Sequence, residues 1–236
     1  MGQNLEKFDY GLNMIKLIIF DLDGVLADTE IFHYEAFNKA LSDIDPKWVI
    51  SPHEHEITYK GLPSSKKLDI LFNKYSITDL KIKEKILTAK QLYTPALLNK
   101  VYKDLDIIGI FEVLKARGYK IAVASNALSK TVTTVLKNIG VYDMVDLFLG
   151  NDNVKNPKPS PEIYKKAIQH FGLHPKEALI IEDSPVGQEA AEKSGGNLVK
   201  VTSRKDVTLS LIENSIRAID KSFNSDILVE LKKKAI

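Results

Sequence analysis

The hydrophobic pattern changes rhythm twice along this chain. Leu17-Ile18-Ile19-Phe20 is a run of four apolar residues that ends abruptly in Asp21-Leu22-Asp23-Gly24. Too short for a lone helix and closed by turn residues, it predicts a buried strand running into a tight turn. From there to residue 99 the apolar positions recur at helical spacing. Tyr34, Phe37 and Leu41 form one stripe, Leu68, Leu71, Phe72 and Tyr75 a second, and Ile82, Ile86, Ala89 and Tyr93 a third, with Asp79 set to cap the last. Residues 33–99 hold no convincing strand, which predicts an all-helical insertion of three or four helices hinged at residues 28–33 and 99–107.

Beyond the insertion, strands and helices alternate. Phe111–Gly118 reads as a short helix and Lys120–Ser125 as a buried strand; Ser129 caps a helix with Val132, Val135, Leu136 and Ile139 on one face, stopped by Gly140. Asp146–Leu149 is a third strand, and Pro161 opens a helix carrying Ile163, Tyr164, Ala167, Ile168 and Phe171. Ala178–Ile181 makes a fourth strand, Pro185–Ser194 a helix and Leu198–Val201 a fifth strand. This alternation predicts an α/β fold, a parallel sheet covered on both faces, built from residues 1–32 and 100–236 with 33–99 inserted. In such sheets ligands gather outside the carboxyl ends of the strands, so the residues that follow each strand carry the functional information.

Composition narrows the partners. With 44% hydrophobic and 27% charged residues the chain is an ordinary globular one, and a formal net charge of +2 gives no reason to expect a nucleic-acid partner. The only arginines are Arg117, Arg204 and Arg217, so a bound phosphate is held by lysine ammoniums and backbone amides rather than guanidinium forks. The absence of cysteine excludes thiol catalysis and zinc thiolate sites. No window approaches 18 apolar residues, so no membrane span is expected. Met1–Asn13 is polar, reads as a loose leader, and carries Glu6 where a myristoylation motif wants Ser or Thr. A cytoplasmic monomer is expected. Lys232–Lys234 reads as a complement to a terminal helix dipole.

Four strand ends carry chemistry. Asp21 and Asp23, aimed into one crevice by the break at Gly24, can bind a divalent cation or divide the work of nucleophile and general acid; they can equally be turn and cap residues. A calcium loop is excluded, because its glycine stands sixth and Gly24 stands fourth. Ser125-Asn126 suits an anion cradle and also a routine strand exit. Asn156-Pro157-Lys158-Pro159-Ser160-Pro161 leaves Lys158 few places to point, or is a rigid surface loop. Glu182-Asp183 follows four apolar residues, where two charges are costly unless something binds them. His53-Glu54-His55 lacks zincin spacing and is not expected to hold metal.

Taken in order, Asp21-Leu22-Asp23-Gly24-Val25-Leu26, Val123-Ala124-Ser125-Asn126, Lys158-Pro159-Ser160-Pro161-Glu162-Ile163-Tyr164 and Glu182-Asp183 resemble the four motifs of the haloacid dehalogenase-like superfamily, first subfamily, over about residues 16–202. The resemblance implies a Rossmann-like core with residues 33–99 as a helical cap domain, and Mg²⁺-dependent transfer of a phosphoryl group from a small phosphorylated metabolite. Asp21 is then the nucleophile and Asp23 the general acid and base, while Lys158, Ser125, Asn126 and the amides of Leu22 and Asn126 stabilise the transferring group. Asp21, the backbone carbonyl of Asp23, and Asp183 would hold Mg²⁺, with Glu182 a direct ligand or one step removed. The second acid disfavours a dehalogenase. A sugar-phosphate mutase of the β-phosphoglucomutase type is the alternative: His33 and Lys60-Gly61 match it, but its cap arginine is Ser64 here, for which Lys66 or Lys67 would substitute imperfectly. The plainer reading of His33 is a helix-surface histidine. A non-catalytic phosphosugar sensor is the reading from another class. Gly61-Leu62-Pro63-Ser64-Ser65 is the candidate specificity loop, and as a plain helix start it would look the same.

Overall fold

The computed structural model describes residues 14–234, with side chains through residue 223; the expected leader, Met1–Asn13, and the side chains of Lys232–Lys234 lie outside the described residues. In chain order the main elements are β1 (Leu17–Phe20), α1 (Glu30–Ser42), α2 (Pro52–Glu54), α3 (Ser64–Tyr75), α4 (Leu80–Leu98), α5 (Leu105–Ala116), β2 (Lys120–Ala124), α6 (Ser129–Ile139), β3 (Leu147–Leu149), α7 (Glu162–His170), β4 (Ala178–Glu182), α8 (Pro185–Ser194), β5 (Asn197–Lys200) and α9 (Leu209–Lys234).

The five strands form one parallel sheet in the order β3-β2-β1-β4-β5. Alternate side chains of each strand face opposite layers, which is why the strand sequences are apolar throughout. Ile18, Phe20, Ile121, Val123, Leu179 and Ile181 pack under α5, α6 and α9, while Leu17, Ile19, Ala122, Ala124, Ala178 and Ile180 pack under α7 and α8. Each such Val, Leu, Ile or Phe side chain contributes about 1.5–3 kcal/mol when fully buried. The chain leaves β1 toward β2 on one side and returns through β4 on the other, so the carboxyl ends of these three central strands open onto one crevice.

Helices α1 to α4 fill the stretch between β1 and α5 and bury a separate apolar cluster of Phe37, Leu41, Ile50, Tyr59, Leu68, Leu71, Phe72 and Ile86. Asp79 caps α4 as expected, accepting the Lys81 N–H at 2.9 Å. Between α1 and α3 lie pieces too short to show a period: a 3₁₀ turn at Pro46–Trp48, α2 capped by Ser51, and a π-helical turn at His55–Tyr59.

Two expected helix starts are corrected. The helix expected from Phe111 begins at Leu105, because the Asp104 carboxylate accepts the N–H groups of Asp106 and Ile107 at 3.1 and 3.0 Å. Ser129 is not the cap of α6 but its first residue. Its N–H and hydroxyl donate to Asp152 at 2.8 and 2.7 Å, so a carboxylate from the loop after β3 satisfies the helix end that Ser129 was expected to satisfy. Other strand ends agree to within a residue, the usual latitude of such boundaries.

Candidate active site

Asp21 continues the sheet one residue past β1, its N–H donating to the Ile181 carbonyl at 3.0 Å. The chain then turns at Gly24, whose φ of +88° lies in the left-handed region. The turn brings Asp23 to the same crevice. One carboxylate oxygen of Asp23 accepts from the Thr29 hydroxyl, and the other from Ser125 Oγ at 3.3 Å. His33 Nε2 lies 3.2 Å from Asp23 Oδ1. Burial opposes the charge on Asp23, but His33 and Thr29 outweigh it and hold the acid well below the usual carboxylate range.

Lys158, only 3% exposed, reaches the same point from the proline-rich loop. Its ammonium donates to Asp21 Oδ1 at 2.6 Å, Glu182 Oε2 at 2.7 Å and the Ala124 carbonyl at 3.0 Å, and stands over the Tyr164 ring. Burial works against its charge, but the two carboxylates raise its pKa. Glu182 is fully engaged by the protein. Oε2 also accepts from the Tyr164 hydroxyl at 2.6 Å, and Oε1 accepts from the Asp183 and Ser184 N–H groups and Ser184 Oγ at 3.0–3.1 Å. Gly187 is required here, since a Cβ would stand 1.9 Å from Glu182 Oε2.

Ligand atoms of Asp21, Glu182 and Asp183 all lie within 4.8 Å of one another. Asp183 Oδ1 is buried with no hydrogen-bond partner. Burial, then the Glu182 charge, push Asp21 well above the carboxylate range and Asp183 up to about 7. Three crowded acids, one with an orphaned oxygen, fit a divalent cation with oxygen preference. Because Glu182 is saturated, Asp21 and Asp183 are the carboxylates with capacity to spare. The Asp23 side chain is not in the group, leaving its backbone carbonyl as the expected contribution. Gly24 lets the turn pack on the cluster, as a Cβ there would meet Asp183 Oδ2 at 2.4 Å.

Glu30 and the insertion supply the other wall of a cavity of about 90 Å³, with Glu30, His33, His55, Lys60, Gly61, Ser64, Lys67 and Lys90 facing Asp21, Asp23, Asn126, Lys158 and Asp183. His33, read first as a surface histidine, is corrected: it lines the cavity, its side chain 14% exposed. Lys60 pairs with Glu56 at 3.0 Å and Glu30 at 3.6 Å. Asn126 binds protein rather than open space. Its Oδ1 accepts the Lys158 N–H at 3.0 Å while its Nδ2 donates to the Gly61 carbonyl at 3.0 Å, tying the proline-rich loop to the insertion. Among the described residues the N–H groups of Leu22 and Asn126 donate to no backbone carbonyl outside helices and strands, leaving them for an anion. Sequence reasoning missed Thr29, Glu30, His55 and Lys90, and it placed Tyr164 on a core face and at the end of the Lys158 motif without giving it a role in the site. One signal was present for Lys90: it stands four residues after Ile86 on the buried stripe of α4.

Residues 18–201 match the family described as haloacid dehalogenase-like hydrolase. A phosphorylated carbohydrates phosphatase of Thermotoga maritima is 27% identical over 183 residues, 77% of this chain and 82% of the relative. Among solved structures, β-phosphoglucomutase from Clostridium difficile shares the fold with a TM-score of 0.73 at 23% identity, covering 86% of this chain and 98% of that one. A CbbY variant from Rhodobacter sphaeroides, in complex with xylulose-(1,5)bisphosphate, has a TM-score of 0.71 at 25% identity over 81% of this chain and 89% of its own. With a family match over most of its length, the chain belongs to the haloacid dehalogenase-like hydrolases.

Proposed function

We propose that this enzyme hydrolyses small phosphorylated metabolites with Mg²⁺, passing the phosphoryl group through an aspartyl-phosphate on Asp21. The observation that carries the reading is the buried contact of Lys158 with Asp21 at 2.6 Å, beside a carboxylate group with an unpartnered Asp183 oxygen. Asp21 would attack phosphorus from the floor of the cavity while Lys158, Ser125 and the amides of Leu22 and Asn126 stabilise the oxygens of the transferring group. Asp23, with His33 3.2 Å away, would move a proton to the departing oxygen and later take one from the attacking water. Asp21, Asp183 and the Asp23 carbonyl would hold Mg²⁺, with Glu182 orienting Lys158 and Asp183 from behind. Bound there, the ion would offset the crowded negative charge and polarise the phosphoryl oxygens.

Residues 33–99 are proposed to act as a cap domain over the cavity, with Lys60, Gly61 and Ser64 facing the substrate. The enzyme is proposed to work as a cytoplasmic monomer without nucleic-acid or membrane partners; no described helix is long and apolar enough to cross a membrane. Phosphate release from an aryl phosphate tests the reading. Mg²⁺ should support turnover, a chelator should abolish it, and Asp21→Asn should lower it by about 10³-fold or more; wild-type turnover equal to that of Asp21→Asn would refute it. A mutase is favoured by one observation: Lys67 and Lys90 line the cavity beside Ser64, the position of the missing cap arginine, whereas Lys66 is exposed and does not. Incubation of a hexose 1-phosphate with a bisphosphate primer separates the two, a mutase giving the 6-phosphate and a phosphatase free phosphate.

A further inference from the structure

One fully buried polar group stands next to the reacting side chains without lining the cavity. Tyr164 lies on α7, in the motif that carries Lys158, and packs with Leu17, Ile19, Ala124 and Ile180 between the helix and the sheet. For packing alone a phenylalanine would fill nearly the same volume with no polar atom to satisfy, whereas a buried hydroxyl is unfavourable unless it is bonded. The Tyr164 hydroxyl is bonded: it donates to Glu182 Oε2 at 2.6 Å, while the Lys158 ammonium stands 4.7 Å from the centre of its ring. The donors around Lys158 show what that bond can do. An ammonium has three N–H groups, and all three are engaged, by Asp21 Oδ1 at 2.6 Å, Glu182 Oε2 at 2.7 Å and the Ala124 carbonyl at 3.0 Å. Two carboxylates therefore compete for one cation. Glu182 has other donors as well, the Asp183 and Ser184 N–H groups and Ser184 Oγ on Oε1 and Tyr164 on Oε2, none of which is bonded to Asp21. On the oxygen that faces Lys158, the tyrosine hydroxyl is the donor that Asp21 does not share.

We propose that Tyr164 is a positioning residue for phosphoryl transfer: its hydroxyl fixes Glu182 independently of Lys158, so that the ammonium can follow the charge that develops on the phosphoryl oxygens at Asp21. The inference rests on the phosphatase reading and adds a residue to its machinery. Without the hydroxyl, Glu182 Oε2 keeps one donor in place of two and draws Lys158 toward itself at the expense of Asp21. The damage falls on the transition state, where a displaced ammonium no longer meets the developing charge, and not on the binding of substrate.

Tyr164→Phe keeps the ring and deletes one hydroxyl, which makes it the variant to test. With 4-nitrophenyl phosphate and Mg²⁺, kcat should fall about tenfold or more while KM changes by less than about twofold. Ile168→Val, one turn further along the same buried face of α7, supplies the comparison for a loss of packing alone and should keep the wild-type kcat. Calorimetric binding to the full chain with Mg²⁺ reads the same effect without turnover. Orthovanadate, whose five-coordinate adducts imitate a phosphoryl group in transfer, should bind Tyr164→Phe about tenfold more weakly than wild type, and inorganic phosphate should bind both about equally. A wild-type kcat in Tyr164→Phe, an equal weakening of vanadate and phosphate, or a kcat loss shared by Ile168→Val would each overturn the inference and leave Tyr164 as packing. If wild type releases phosphate no faster than Asp21→Asn, the phosphatase reading fails by itself, and the contrast between vanadate and phosphate still decides whether Tyr164 positions Glu182 and Lys158.

Discussion

Lys158→Met would leave Asp21 and Glu182 buried without the ammonium that bridges them at 2.6 and 2.7 Å. Breaking a buried ion pair from one side costs about 3–5 kcal/mol, so the variant is expected to lower the urea midpoint substantially and to abolish phosphate release. Lys67 should behave in the opposite sense. Its pKa falls from an ordinary 10.5 to about 8 in the fold, so between those values the unfolded chain binds more protons and stability rises with pH. Below about pH 8 the full cost of the buried charge is present. Lys67→Met should therefore be more stable than wild type by about 2–3 kcal/mol at pH 7, the difference shrinking toward pH 10 in urea titrations. The contrast also marks what was readable in the chain. Asp21, Asp183 and Lys158 stand directly after apolar runs or between prolines, where a charge is conspicuous. Lys90 lies on the stripe of a helix, and only the packing of α4 over the crevice reveals that it faces the cavity rather than solvent.

The turns and helix ends are the elements that aim these side chains. Gly24→Ala should combine a left-handed backbone strain of about 1 kcal/mol with a Cβ driven into Asp183. The expected result is weaker Mg²⁺ dependence of phosphate release, read as a rise in the Mg²⁺ concentration for half-maximal rate. Asp104 is remote from the cavity. It caps α5 and pairs with Arg204 through both oxygens at 2.9 and 3.0 Å. Asp104→Ala should lower stability by about 1–2 kcal/mol in chemical unfolding while kcat stays at the wild-type value. That cap explains why the α5 start escaped the hydrophobic pattern: Asp106 and Gly109 interrupt the apolar residues before Phe111, but the helix begins at Leu105, where its amides find a carboxylate, six residues before the start that periodicity suggested. The α6 start was misread for the same reason in reverse, because Asp152 arrives from a distant loop that no local pattern announces.

At the scale of the whole molecule, the sheet order puts β1, β2 and β4 side by side, so motifs far apart in sequence share one crevice. Strand alternation made that core legible in advance. The geometry between insertion and sheet was not, because it depends on contacts such as that of Asn126 with Gly61. Asn126→Ala should raise KM several-fold and speed amide hydrogen exchange at Gly61 and Leu62, measured by mass spectrometry with and without a phosphonate probe. The bond concerned is a neutral one between an amide group and a peptide carbonyl, contributing about 1 kcal/mol, which is less than twofold the thermal quantum RT. Under the proposed cap role such a clasp would slip and re-form spontaneously, so that spent phosphate could depart, and the next molecule enter, with no fuel spent on the gate.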